Sequence, residues 1–233
     1  MEQLRNKNVI EKDLESIFTE ITSLEKKFIE ESKNFLEIGM DKGKGGTLTL
    51  DFYVSAIVHR SIHLMSGFLL LSKENNYIAS VPLVRLQLDN CLRFFASTLV
   101  TDIDAFFLAF LSGEHIEYLK DHSGNEMRDS YLVKKLENLF PGILSLYKNT
   151  SGYIHFSNAH AIDQTNIPKN KERTIGIRIG RYDMYPIDKK VDFAYNMLRI
   201  SQILLYLVKS WTEEKAEIMS KLKPENNAAD ISD

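Results

Sequence analysis

Residues 9–38 read VIEKDLESIFTEITSLEKKFIEESKNFLEI, and this stretch decides the fold class. Its apolar residues recur at alternating steps of three and four positions, which places them on one face of a helix. They are Leu14, Ile17, Ile21, Leu24, Phe28, Phe35 and Ile38, with Glu31 as the one break in the series. A seam of this kind is typical of a long helix packed lengthwise against other helices.

The rest of the chain mostly repeats the helical pattern. Further helices are predicted over residues 50–72, 80–99, 102–111, 114–120, 126–140, 143–156 and 188–222. We place the start of the third at Ser80, as an N-cap, with Pro82 in its first turn. Residues 174–180 alternate small or polar with β-branched side chains, which favours a strand. The sequence therefore predicts an all-α helical bundle over residues 1–223, as one domain, with a small β-hairpin insertion near 161–185 and a polar tail at 224–233.

Composition narrows the classes of function. The chain has 233 residues, a formal net charge of -3 and a pI of about 6.1, so a globally basic nucleic-acid binder is excluded. Its one cysteine, Cys91, cannot form an intramolecular disulfide, and the sequence opens on charged helical residues. The longest apolar stretch, Ile203–Val208, is far shorter than the ~20 residues that span a bilayer. We therefore expect a cytoplasmic protein without a membrane segment.

Two histidines, His59 and His63, are four residues apart on the second predicted helix and so share a face. That spacing suits two zinc ligands, but the next residue after His59 is a cation, Arg60, and no Cys/His cluster supports a site. We expect interior or pocket-lining histidines, with no metal and no cofactor.

Arg85 and Asp89 are also four residues apart, on the third predicted helix, with Arg93 close by. Two interpretations stay open. The pair is either an ordinary intrahelical ion pair, worth ~0.3–0.5 kcal/mol, or part of a polar site at the edge of the core. In the second case Arg85, held by Asp89, converges with His59, His63 and a histidine from a later helix.

The densest polar stretch is residues 147–160, YKNTSGYIHFSNAH. If the helix continues through His155, the side chains of Lys148, Ser151 and His155 share one face. The other polar residues of the stretch are Asn149, Ser157, Asn158 and His160. Capping of a helix C-terminus explains one or two such residues but less easily six.

This stretch resembles the signature helix of the HEPN-type bundles (higher eukaryotes and prokaryotes nucleotide-binding), which are small all-α proteins of bacterial toxin and antiphage systems. Their motif is an Arg, often followed by Asn, and then a His after a short spacer; here Lys148-Asn149 precedes His155. Ser151, His155 and Ser157 also match a Ser-x-x-x-His-x-Ser signature of bacterial helical proteins. In that group an Arg lies early in a preceding helix, a position that Arg85 matches. The resemblance covers roughly residues 50–207.

The resemblance implies metal-independent cleavage of RNA in which a ribose 2′-hydroxyl attacks the adjacent phosphate. His155 would exchange the proton, and Lys148 or Arg85 would stabilise the phosphorane charge. It also implies a homodimer and a partner protein from a defence or toxin-antitoxin operon. The alternative is a non-catalytic module that recognises a nucleotide, a small ligand or a partner protein through the same polar residues.

Overall fold

The computed structural model describes residues 2–38, 40, 46–154, 160, 165–166, 176–177, 179–180 and 185–221, with side chains from residue 13 onward except at 165–166. It confirms the all-α bundle. The helices are α1 (Glu2–Glu37), α2 (Thr49–Lys73), α3 (Tyr77–Ser97), α4 (Ile103–Leu111), α5 (Asp129–Leu139), α6 (Ile143–Ser151) and α7 (Ile187–Lys221). The predicted tail at 224–233 lies outside the described residues.

The two longest helices, α1 and α7, pack along each other, and α2 and α3 pair beside them. α3 is central, because it also contacts α7, α5 and α6, whereas α4 lies against α2. Most of the predicted α1 seam is buried, as expected for the face that meets α7. Two positions differ: Ile17 and Ile38 are half-buried, and Phe18 beside Ile17 is buried instead.

Glu31, which interrupts the apolar seam of α1, is itself buried. Its carboxylate accepts a hydrogen bond of 2.5 Å from the Thr212 hydroxyl on α7. A buried carboxylate is tolerated where a donor satisfies it. The break in the sequence pattern is therefore a polar contact between α1 and α7.

The predicted start of the third helix at Ser80 is wrong, because α3 begins at Tyr77. The Ser80 hydroxyl caps no helix; it is buried and accepts a hydrogen bond of 3.1 Å from Ser72 on α2. Pro82 accordingly lies in the interior of α3 and not in its first turn. Serine is common at helix N-caps, but here Ser80 lies inside α3 and contacts α2 instead.

The predicted helix over 114–120 is wrong and reduces to one 3-10 turn, Ile116–Tyr118. The loop after it is organised around Asp121, which accepts hydrogen bonds from the backbone amides of Ser123 and Asn125 and from the Tyr131 hydroxyl. Burial raises the pKa of this carboxyl, but the hydrogen bonds outweigh it and bring the pKa to about 2. This loop leads directly into α5, which begins at Asp129.

The predicted β-hairpin is present as one antiparallel strand pair. Strand β1 (Thr165–Asn166) pairs with β2 (Gly176–Ile177), with Thr165 opposite Ile177 and Asn166 opposite Gly176. Each described strand has two residues, so the insertion adds little to the core of the bundle.

One helix among the described residues, α2, is long and apolar enough to cross a membrane by length and hydropathy. Core helices of soluble proteins meet the same criterion, and α2 packs against α1, α3 and α4. Cytoplasmic location therefore stays a prediction.

A fully buried ion pair joins α2 to α7. Lys215 Nζ lies 2.7 Å from Asp51 Oδ2, and the two side chains are 0% and 1% exposed. Nζ also donates to the Phe35 carbonyl near the end of α1, at 2.6 Å. The Asp51 carboxylate accepts two further hydrogen bonds, from Trp211 Nε1 and from the Leu48 backbone amide. Three helices thus converge on one satisfied charge pair.

Lys215→Met is expected to destabilise the protein by about 3–5 kcal/mol, because it leaves the Asp51 carboxylate buried without its cation. The matched control is Lys221→Met on the same helix, whose pair with Glu217 is 3.8 Å apart with both side chains 75% exposed. That control should change the free energy of unfolding by less than about 0.5 kcal/mol. Urea denaturation measures both. A value for Lys215→Met within about 1 kcal/mol of wild type would contradict this account of the pair.

Candidate functional site

The polar stretch at 147–160 is only partly described. α6 ends at Ser151, and hydrogen bonds from Tyr153 N to Thr150 O and from Ile154 N to Ser151 O form tight turns after it. The expected helix through His155 is therefore wrong. Hydrogen bonds from the amide of residue i+3 to the carbonyl of residue i are common where a helix ends, because they satisfy its last carbonyl groups.

The predicted residues of this stretch do not form a joint site in the described part of the chain. Lys148 and Asn149 are exposed, and the Ser151 hydroxyl donates back to the Tyr147 carbonyl at 2.6 Å. The half-buried His160 packs its ring against that of Tyr153, with centroids 6.0 Å apart. His155, Ser157 and Asn158 lie outside the described residues.

Arg85 is buried, but its predicted pairing with Asp89 is wrong. Its Nη2 lies 2.8 Å from Oδ2 of Asp129, the first residue of α5. Its guanidinium also lies over the ring of Tyr147 on α6, 4.5 Å from the ring centroid. Arg85 is thus held between α5 and α6, whereas Asp89, one turn further along α3, is held by other cations.

Asp89 binds two arginines. Oδ1 accepts a hydrogen bond of 3.0 Å from Arg93 Nε, one turn along α3, and Oδ2 accepts one of 2.9 Å from Arg60 on α2. Both carboxylate oxygens of Asp89 therefore already bind an arginine, and Arg85 pairs with Asp129 instead.

Arg93 joins the two carboxylates. It contacts Asp89 through Nε and the Asp129 carboxylate through Nη2. Burial lowers the pKa of this guanidinium, but Asp89 and Asp129 raise it by more, so the net shift is upward. Its third nitrogen, Nη1, is buried and has no hydrogen-bond partner among the described residues. We call the chain Arg60–Asp89–Arg93–Asp129–Arg85 the charged chain; it links α2, α3 and α5.

A second polar network extends from the charged chain into the core. Arg60 donates to the Asn90 side-chain oxygen at 2.5 Å, and the Asn90 amide donates to Gln87 at 3.1 Å. Gln87 in turn donates to the hydroxyls of Ser61 on α2 and Ser201 on α7, at 2.5 and 2.9 Å. Satisfied buried networks of this kind fix the relative positions of the helices that carry them.

His59 and His63 are exposed, so the expectation of interior or pocket-lining histidines is wrong. Their rings lie edge to face, with centroids 4.6 Å apart. The buried face of α2 carries Tyr53, Val54 and Ile57, and the two histidines project away from it. Within the described residues no group of three or more His, Cys, Asp or Glu side chains is arranged to hold a metal.

A cavity of about 530 Å³ lies beside the charged chain. This size is within the usual range for small-ligand sites. Its apolar walls include Tyr53, Ile57, Phe110 and Ile116, and Asn90 and His115 add polar groups. The charged residues that line it are Arg60, Arg93, Asp89, Asp129, Glu114 and Glu117. Of these charged residues, Asp89 is the one predicted from the sequence. Arg85 does not line the cavity but contacts Asp129, which does.

The charges in the cavity are unequal. Two arginines and four carboxylates line the cavity, and Arg85 behind the wall also pairs with Asp129, so the group has one net negative charge. Glu114 and Glu117 make no ion pair or side-chain hydrogen bond with the described residues. The charge left for a ligand to meet is therefore negative.

The sequence contained part of this site. Arg93 lies four residues after Asp89, a spacing as good as the one that drew attention to Arg85. Asp129 carried no comparable signal, because it lies 36 residues from Arg93 and 44 from Arg85.

Scans against family models and searches of curated proteins and solved structures find no match for this chain.

Proposed function

We propose that this protein is a non-catalytic binding module whose cavity takes a small ligand with a cationic group on an apolar body. The observation that carries the proposal is the charge balance of the cavity. Each arginine of the charged chain already contacts Asp89 or Asp129, whereas the exposed Glu114 and the half-buried Glu117 line the cavity with no cation paired to them among the described residues. A charged donor strengthens a hydrogen bond to a carboxylate, and the gain is larger at the half-buried Glu117 than at the exposed Glu114, where solvent screens it.

The same balance disfavours a nucleotide. A phosphate would have to draw Arg60 or Arg93 away from Asp89 and Asp129 while facing four carboxylates. Separating either ion pair leaves a carboxylate without its cation; the cost is below the ~3–5 kcal/mol of a fully buried pair, because these side chains are 23–43% exposed. The new contact to phosphate has to exceed that cost before it adds affinity.

An aromatic ring at the cavity suits the apolar body of the ligand. Phe110 is 38% exposed and meets the buried ring of Tyr53 edge to face, with centroids 5.1 Å apart. An exposed ring such as that of Phe110 stacks with flat apolar groups and attracts a nearby cation through its face. Tyr53 is fixed in place, because its hydroxyl donates to the Arg93 carbonyl at 3.0 Å.

Tryptamine and indole-3-acetate are suitable probes, because they share a ring system and differ in the sign of the charge. Isothermal titration should show saturable binding of tryptamine and none of indole-3-acetate or adenosine monophosphate. Glu114→Gln combined with Glu117→Gln should weaken tryptamine binding by about tenfold or more, equivalent to ~1.4 kcal/mol.

The matched control is Glu213→Gln, which removes an exposed carboxylate on α7 and should leave tryptamine binding unchanged. Binding of the anions in preference to tryptamine would refute the proposal. Equal affinity in wild type and in the double glutamine variant would also refute it.

A second candidate function is metal-independent cleavage of RNA, as the HEPN resemblance implies. The contact of Arg85 with Tyr147 supports it, because it brings the arginine of α3 against the helix that carries Lys148. In this proposal His155 exchanges the proton, and two subunits pair their motifs in a homodimer. A cytoplasmic location and a defence or toxin-antitoxin partner belong to the same proposal.

If this candidate is correct, the wild type cleaves single-stranded or transfer RNA equally with and without EDTA. His155→Ala should lower the rate by about 10²–10⁴. Lys148→Ala should weaken cleavage and Lys148→Arg should preserve it, since Arg can bind a phosphate with two parallel hydrogen bonds. Lys209→Ala, at an exposed position of α7, is the control. Identical products from wild type and His155→Ala, or no cleavage by the wild type, would exclude this candidate.

A further inference from the structure

α4 exposes an unusual amount of apolar surface for a helix in a folded domain. Its sequence is IDAFFLAFL, and Phe106 is its one buried residue. Leu108 and Leu111 are 65% and 62% exposed, and Phe110 is 38% exposed. Leu108 and Leu111 are three residues apart and therefore adjacent on the helix surface.

The exposed apolar residues continue onto α2. The rings of Phe107 and Phe110 are stacked with centroids 6.3 Å apart, and Phe52 of α2 stacks on Phe107 at 6.5 Å. Phe52 is itself 61% exposed. We call Phe52, Phe107, Leu108, Phe110 and Leu111 the α4 face. A contiguous apolar surface of this kind marks an interaction site.

Charges at both ends of α4 indicate what can cover this face. Asp102 and Asp104 are exposed at its N-terminal end, and a small neighbouring cavity there is lined by Asp102, Lys120 and Asp121. Glu114 and Glu117 follow its C-terminal end. If a second copy packed its α4 against this α4, the acidic residues at the helix ends would repel each other. The same residues would repel an anionic lipid surface. A partner with basic residues beside an apolar stripe is complementary.

The α4 face is continuous with the cavity, because Phe110 belongs to both. A segment lying on α4 therefore passes the cavity opening, where Glu114 and Glu117 form no ion pair within the part of the chain that the structure describes. We infer that α4 docks an amphipathic helix of a partner protein that carries flanking Lys or Arg residues, one of which enters the cavity. This inference rests on the proposed function: the cationic group that the cavity takes is then a Lys or Arg side chain of the partner helix.

Two synthetic peptides test the inference. Both carry Leu at i, i+3, i+4 and i+7 of a helix, and one has Lys at the flanking positions where the other has Glu. In fluorescence anisotropy the Lys peptide should bind with a Kd below about 100 μM, and the Glu peptide should bind at least tenfold more weakly.

The variant Leu108→Asp with Leu111→Asp should reduce binding of the Lys peptide at least tenfold. Both sites are exposed, so the fold should persist, and circular dichroism checks this. The matched control is Leu139→Asp on α5, a leucine 60% exposed outside the α4 face, which should leave binding unchanged. Equal binding of the two peptides, equal effects of the two variants, or no binding of the Lys peptide would overturn the inference.

Sedimentation and vesicle binding identify the other occupants. A wild-type dimer that the double aspartate variant dissociates would replace the partner helix with a second copy. Wild-type binding to phosphatidylcholine or phosphatidylglycerol vesicles, lost in that variant, would replace it with a lipid surface. Tryptamine binding without peptide binding would leave the proposed function standing and refute this inference alone. Loss of both would refute the two together.

Discussion

Arg93 lies between two carboxylates from different helices, and the arrangement around the cavity depends on that bridge. Asp89 is on α3, whereas Asp129 begins α5 after a long connection, so the guanidinium joins parts of the chain that no local pattern brings together. With Arg93 in place, Asp129 is also positioned to hold Arg85, and Asp89 to hold Arg60. A single side chain therefore sets the wall of the cavity and determines which charges remain free inside it.

Several of the buried polar residues lie between helices, where they fix the register of one helix against another. The Lys215–Asp51 pair joins α1, α2 and α7, and the Gln87 amide joins α2, α3 and α7. Apolar side chains supply most of the driving force for folding, but their contacts tolerate sliding of one helix along another. Satisfied buried polar groups do not tolerate it, because a shift leaves a donor or carboxylate unpaired. The α4 face is different, since it leaves apolar side chains in solvent.

Periodicity predicted the helices whose packing is continuous, and it failed where tertiary contacts replace local signals. The pattern predicts both ends of α7 and the end of α1 to within one residue, because a long buried stripe repeats the same information many times, but α1 begins at Glu2, seven residues before the predicted start. Ser80 looked like a cap but serves a contact with Ser72 between helices. Arg85 was matched to Asp89 by spacing alone, while the true partner, Asp129, lies 44 residues away. Spacing can identify residues that are able to pair; the fold decides which of them do.

The most direct test of this account is a double-mutant cycle on Arg93 and Asp129, using Arg93→Gln, Asp129→Asn and the combined variant. Urea denaturation gives the free energy of unfolding of each protein and hence the coupling between the two side chains. If the bridge holds α5 against α3, the coupling should exceed about 1 kcal/mol, within the range measured for contacting residues in one network. Independent, additive effects of the two substitutions would contradict the bridge and, with it, the cavity wall that the proposed function requires.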